Sequence, residues 1–319
     1  MKIVYLDQLH WIEIAKCVNG KPAKDGTSEA LEHMNILSNS GCAVFPLSIS
    51  HYYETLKHSD PNRRQRLASV MRTLSQGFSV AALRNIVRHE VRSALVSILD
   101  LNNKKEEFQY LGKGFEHALG RYFNLKLVWP KPEHIPEYIR NKFENDIFSI
   151  IEATFLSGVL KSGEIEYLFT KVDLTSDNKF KDHLEEWKGC ASTMTEAELK
   201  RRIYSITFKD ILEPISEELV YLGVPLEKFM LLGEESFCRF LNMMPTRKVD
   251  MHLREQWARN GSLTPKQSDL NDWCYIGSAV CYSDFVITEN QITDLLSRSQ
   301  IYAPKVTSKL SDILNFNIA

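Results

Sequence analysis

None of the six cysteines (Cys17, Cys42, Cys190, Cys238, Cys274, Cys281) stands in a Cys-x-x-Cys pair, which removes zinc knuckles and thioredoxin-like redox motifs from consideration. Cys274 and Cys281, seven apart on one predicted helix face, read as packing residues, and reduced thiols predict a cytoplasmic protein. Nor does the chain contain a P-loop, a GxGxxG turn, a GxSxG elbow or an HExxH helix. Internal repeats and low-complexity tracts are missing. The most apolar stretch, Phe148–Leu160, is interrupted by Glu152 and is too short to span a bilayer, so it predicts a core helix and no membrane partner. Lys2 opens a strand pattern rather than the apolar run of a signal peptide. Net charge is lacking too: the formal value is −2, with pI near 6.5. Affinity for nucleic acid must then come from local basic patches. With 319 residues, 44% hydrophobic and 25% charged, the chain has ordinary globular composition and enough apolar mass for a sizeable core.

What is present is an α/β rhythm at the two ends. Lys2–Leu6 reads as a buried strand ending on Asp7, followed by helices over Leu9–Val18 and Ser28–Asn39. Strand Cys42–Leu47 leads to a helix from about Ser50, with Ser50 as its N-cap, that carries Glu54. Asp60-Pro61 breaks it. A further helix runs to about Ser75, then a short Phe78–Val80 strand and a helix near Ala82–Asp100. Residues 102–261 read differently. Helical patterns dominate at Lys105–Phe123, Ile135–Lys161, Asp182–Gly189, Thr195–Leu222 and Leu226–Met243, punctuated by prolines. Near the end, helix Ser268–Tyr282 precedes strand Phe285–Thr288, and Gln300–Tyr302 reads as one more strand. The expectation is an α/β domain whose parallel sheet is assembled from residues 1–101 and 262–319, with a large helical insertion at 102–261. Ligand sites in such a sheet fall at the carboxyl ends of its strands.

Carboxylates cluster at those predicted positions. Asp7 ends the first strand and Glu289 the late one. Asp269 and Asp272 share the first turn of their helix, and Glu54 lies one turn into its own, three residues after His51. Asp284 sits at the far end of the late strand, about 16 Å from Glu289, and reads as a turn residue. Each acid alone has a bland explanation, such as the helix dipole. Together they are the oxygen donors that hard divalent cations take.

The segments Lys2-Ile-Val-Tyr-Leu-Asp7, Pro46-Leu-Ser-Ile-Ser-His-Tyr-Tyr-Glu54, Ser268-Asp-Leu-Asn-Asp272 through Ala279, and Asp284-Phe-Val-Ile-Thr-Glu289 resemble the motifs of PIN domains. The resemblance covers the two ends of the chain and implies a PIN-like parallel sheet. It further implies phosphodiester hydrolysis with Mg²⁺ or Mn²⁺, RNA as the substrate, and single-stranded DNA as an alternative. Asp7, Glu54 and Asp272 correspond to the first three family acids. The fourth family acid falls where this chain has Asn290, and Glu289 or Asp269 is the substitute. Thr288 is the expected hydrogen-bond donor to a ligand water or phosphate.

Basic residues recur as Arg84, Arg88 and Arg92 on one helix face, and as Arg63, Arg64 and Arg66, either of which suits phosphate binding or a solvated face. Two other readings stay open. Arg84-Asn-Ile-Val-Arg-His89 fits the R-x4-H pattern of the metal-independent HEPN ribonucleases, and Asn290 suits a PIN-like scaffold without catalysis. A regulatory protein partner or a homo-oligomer fits the apolar helices of the middle, and a role as toxin, defence effector or RNA-maturation factor is open.

Overall fold

The computed structural model describes residues 1–102, 107–120, 136–139, 152, 175–266 and 269–316, the side chains of 175–180 and 269–272 excepted. Strands are β1 (Lys2–Leu6), β2 (Ala43–Val44), β3 (Phe78–Val80), β4 (Leu111–Lys113), β5 (Phe285–Ile287) and β6 (Val306–Thr307). Among the described residues the helices are α1 (Gln8–Val18), α2 (Thr27–Asn39), α3 (Ile49–Leu56), α4 (Pro61–Ser75), α5 (Leu83–Ile98), α6 (Gly114–Leu119), α7 (Thr175–Trp187), α8 (Glu196–Lys209), α9 (Leu212–Tyr221), α10 (Leu226–Met230), α11 (Glu234–Asn242), α12 (Pro245–Arg259), α13 (Asp269–Tyr282) and α14 (Asn290–Ser297). The protein is mixed α/β, with a four-stranded parallel sheet in the order β2-β1-β5-β6 and an antiparallel β3-β4 ribbon.

Two compact units divide the chain: Met1–Ala82 with Leu111–Lys171 and Leu310–Ala319, and Leu83–Tyr110 with Val172–Lys309. In the first unit, β1 pairs with β2 in the register Lys2↔Ala43 and Ile3↔Val44. The β1 residues Val4, Tyr5 and Leu6 are all buried, as are Trp11 and Ile14 of α1 and Leu67, Met71 and Leu74 of α4. A buried side chain of this size contributes roughly 1.5–3 kcal/mol each, and this apolar layer holds the start of α1 against the end of β1. In the second unit, Phe229, Phe240, Leu241, Val249, Leu253 and Trp257 form much of the core. There α12 packs on α13, and α5 on α9.

Several sequence expectations need correction. The N-cap of α3 is Ser48 rather than Ser50. Only Ala43–Val44 of the predicted Cys42–Leu47 strand is strand, with Leu47 bridging to Ser79 of β3. Within the predicted Lys105–Phe123 helix, Leu111–Lys113 forms β4 instead, paired with Phe78–Val80. Its glycines explain the difference: a Cβ on Gly112 would sit 2.6 Å from the His117 ring, and Gly114 has φ +78°. The long Thr195–Leu222 pattern is two helices, because the Pro214 ring would clash with the Asp210 carbonyl of an unbroken helix. Leu226–Met243 likewise divides, with Gly233 capping its second half. Gln300–Tyr302 is a turn and not a strand; the strand falls after Pro304, on the β-branched pair Val306-Thr307. Most of the predicted Ile135–Lys161 helix lies outside the described residues. All six cysteines are free thiols, and no described helix is long and apolar enough to cross a membrane.

Candidate active site

Asp7 occupies the N-cap of α1 in extended conformation, yet its carboxylate makes no capping hydrogen bond to the helix amides. Its backbone carbonyl does accept from His10 and Trp11, so the helix start is satisfied without the side chain.

A buried histidine sets what faces it. His51 stands third in α3, and its Nδ1 accepts the Ser48 backbone amide at 2.8 Å, the reach-back of a capping box made by a ring instead of a carboxylate. With Nδ1 accepting, the proton resides on Nε2, which donates to the Leu6 carbonyl at 2.8 Å. Burial pushes the ring down to about 4, with the Leu6 carbonyl pulling the other way, so it stays neutral at physiological pH. Tyr5 lies against it at 5.2 Å between ring centroids, and the Tyr5 hydroxyl meets Ser48 Oγ at 3.2 Å. One neutral ring thus ties the last residue of β1 to the first turn of α3.

A second tie lies two residues along. Gln8 Nε2 donates to Thr55 Oγ1 at 3.0 Å, both side chains buried. Leu6–His51 and Gln8–Thr55 therefore bracket Asp7 and Glu54, and the two acids are held toward one another by pairs on either side. The electrostatic result is plain at Glu54: burial first, and the Asp7 charge second, push its carboxyl up to about 7, against a small opposing pull from Lys57.

In the second unit, Asp269 and Asp272 fall in the first turn of α13, as expected; their side chains lie outside the described residues. Glu289 is the N-cap of α14 and makes no capping bond. Its Oε2 meets Lys266 Nζ at 3.2 Å, while Oε1 is buried without a hydrogen-bond partner. Thr288 is buried, and its amide donates to the Thr307 carbonyl at 2.9 Å.

The arginines separate into two kinds. Arg84 pairs with Glu217, while Arg88 Nε and Arg92 Nε each meet the fully buried Glu218 at 2.6 Å. His89 stacks on Phe108 at 4.6 Å, so Arg84 and His89 face different partners. Arg63, by contrast, is exposed on α4.

Of the acids named from the sequence, the structure brings Glu54 within reach of the Asp7 charge; His51 and the Gln8–Thr55 tie, which join the two segments, were not singled out. The one legible signal was Ser48-x-x-His51, a capping-box spacing with histidine in the position usually held by Glu. Among the described residues no group of three or more His, Cys, Asp or Glu side chains is arranged to hold a metal ion. Asp7 and Glu54 are two oxygen donors, enough for a Mg²⁺ that keeps several waters. No protein-family model matches this chain, and no curated protein or solved structure matches it significantly.

Proposed function

We propose that the chain is a metal-dependent, PIN-like endoribonuclease whose carboxylate site is built on Asp7 and Glu54. The observation that carries the reading is the Glu54 carboxyl, pushed up to about 7 beside Asp7. Two acids held together, one at a strand end and one in the second turn of α3, are costly when both are charged. A bound Mg²⁺ or Mn²⁺ removes that cost, and it would polarise a phosphoryl oxygen and lower the pKa of a bound water. Asp7 and Glu54 would hold it, and the PIN resemblance adds Asp272, with Glu289 or Asp269 as the fourth acid.

The chain's own groups have separable tasks in this reading. His51, neutral and buried, orients the pair without touching substrate. With a cation bound, Glu54 would give up the proton it keeps to about 7 without one, and would serve as a ligand or position the attacking water. Thr288 is the proposed phosphate or water partner. Because Arg84 and Arg88 are engaged by Glu217 and Glu218, Arg63 is the stronger candidate for a backbone phosphate, at a distance from the acids. The same pairing, with His89 stacked on Phe108, weighs against the HEPN reading.

Purified protein is incubated with RNA and with single-stranded DNA, in Mn²⁺ or EDTA, beside Asp7→Asn, Glu54→Gln and Asp272→Asn. RNA cutting in Mn²⁺ that all three variants lose supports the reading. Cutting that continues in EDTA and in the variants refutes it in favour of a metal-independent ribonuclease. RNA binding with no cutting under any condition identifies a scaffold.

A further inference from the structure

Four basic residues of the first unit gather at one place that the carboxylate site does not use. Lys16, Asn19 and Lys21, at the end of α1 and just beyond it, line a shallow depression of about 40 Å³ with Arg63 and Arg66 of α4. Arg63 and Arg66 are three apart, on one face of the first two turns of α4. Lys21, Arg63 and Arg66 are exposed, and among the described residues none has a carboxylate partner. Lys16 does have one: it meets Glu13 at 2.6 Å and so cancels the nearest buried acid. The contrast with α5, where each arginine of the stripe is met by Glu217 or Glu218, is what singles out this patch.

Two further features point to an anion. The positive end of the α4 dipole lies on the same side as Arg63 and Arg66. His58, in the turn that leads into α4, is held below its usual value by burial and then by the charges of Arg63 and Arg64. The Asp60 carboxylate caps α4 at the same turn, accepting from the Asn62 amide at 2.9 Å, so the cationic surface is that of Lys21, Arg63 and Arg66.

Resting on the nuclease reading above, we infer that Lys21, Arg63 and Arg66, with Asn19, bind the phosphate backbone of a single-stranded RNA substrate at a position away from the bond that is cut. The helix supplies the spacing. Lys16 and Asn19 follow Asp7 by nine and twelve residues, which at about 1.5 Å per residue is about 13–18 Å along α1. A stacked strand rises about 3.4 Å per nucleotide, so the patch holds a phosphate about four to five nucleotides from the acids. It anchors the strand and has no part in the chemistry. Each phosphate contact to a single strand changes log K by about 0.7 per decade of salt, so three contacts are worth roughly 100-fold at about 0.1 M salt.

The test is fluorescence anisotropy in EDTA with a labelled RNA dodecamer. It compares wild-type protein, the triple variant Lys21→Gln/Arg63→Gln/Arg66→Gln, and a control that removes three exposed cations elsewhere, Lys209→Gln/Lys228→Gln/Lys309→Gln. Thermal melts establish that all three are folded. The patch variant is expected to bind about 100-fold more weakly with a salt slope smaller by about 2, the control to bind as wild type. In Mn²⁺, the patch variant is expected to lose cleavage of the dodecamer while keeping that of a dinucleotide, which is too short to reach it. Equal binding by patch variant and wild type overturns the inference, as does a wild-type protein that does not hold the dodecamer in EDTA. The outcome is separable from the nuclease reading. If no form cuts RNA, loss of binding in the patch variant alone still establishes the anchor. If cutting depends on Asp7 while the patch variant binds normally, the anchor fails and the nuclease stands.

Discussion

Glu54→Gln is the perturbation whose effect the structure sets most tightly, because two buried groups in one turn of α3 change stability in opposite directions with pH. In the folded protein Glu54 keeps its proton to about 7 instead of the ordinary 4.5. Between those values the native state binds more protons than the unfolded state, so stability is lost as pH rises, at about 1.4 kcal/mol per pH unit and about 3 kcal/mol in all. His51 runs the other way. The unfolded ring takes a proton near 6.5, the folded ring only near 4. Stability from His51 is therefore present above 6.5 and lost as pH falls toward 4, again by about 3 kcal/mol. Over the shared range the two slopes nearly cancel. Glu54→Gln keeps the size and neutrality of the protonated acid and removes only its titration. Relative to wild type, the variant is expected to gain about 3 kcal/mol between pH 4.5 and 7, and to hold that gain at higher pH. For 319 residues this corresponds to about 4–5 °C in Tm. Urea denaturation in EDTA across this range measures it. Asp7→Asn should remove only the smaller part of the slope, since burial outranks the Asp7 charge at Glu54. Parallel stability curves for wild type and Glu54→Gln would show that Glu54 is not held protonated, and the argument for a strained acid pair would fall with it.

Three other outcomes follow from the same geometry. His51→Gln breaks the tie between the Leu6 carbonyl and the Ser48 amide and leaves both buried groups poorly matched; a loss of about 2–4 kcal/mol in urea denaturation is expected, together with lower RNA cleavage. Mn²⁺ at about 100 times its Kd should stabilise wild type by about 2.7 kcal/mol at neutral pH, and a thermal-shift titration should find this lost in Asp7→Asn. Glu218→Ala removes a fully buried partner of Arg88 and Arg92, while Arg88 keeps Glu217 and Arg92 keeps the Tyr221 ring, and a cost of about 1–3 kcal/mol is expected by the same denaturation assay; cleavage by the folded fraction should be unchanged, since these pairs lie outside the proposed chemistry.

What could be read without coordinates was local, and what could not was the partnering of side chains. β1, α1, α2 and α4 announce themselves by apolar periodicity and by breakers such as Asp60-Pro61, so the strand-end position of Asp7 was legible. The separation of α8 from α9 was readable in principle from Pro214, but the apolar spacing continues through it and outweighed the proline. The β4 strand was hidden because its three residues, Leu111, Gly112 and Lys113, carry no alternation, and only the ring of His117 against Gly112 shows why glycine is needed there. At the site the limit was of another kind. A glutamate one turn into a helix is as common on a solvated face as in a catalytic pair. What distinguishes Glu54 is that residues 6 and 8 of one segment are bonded to residues 51 and 55 of another, 45 and 47 positions away. No spacing rule within either segment encodes that match. The same holds for the basic clusters. Arg84, Arg88 and Arg63 look alike as letters, and they differ only in whether a distant glutamate answers them. Glu217 and Glu218 lie about 130 positions from the α5 arginines, so the sequence weighted Arg84 and Arg88 equally with Arg63. Charge that is already neutralised adds little to phosphate affinity, so the weight shifts from α5 to the exposed end of α4 once the pairs are known.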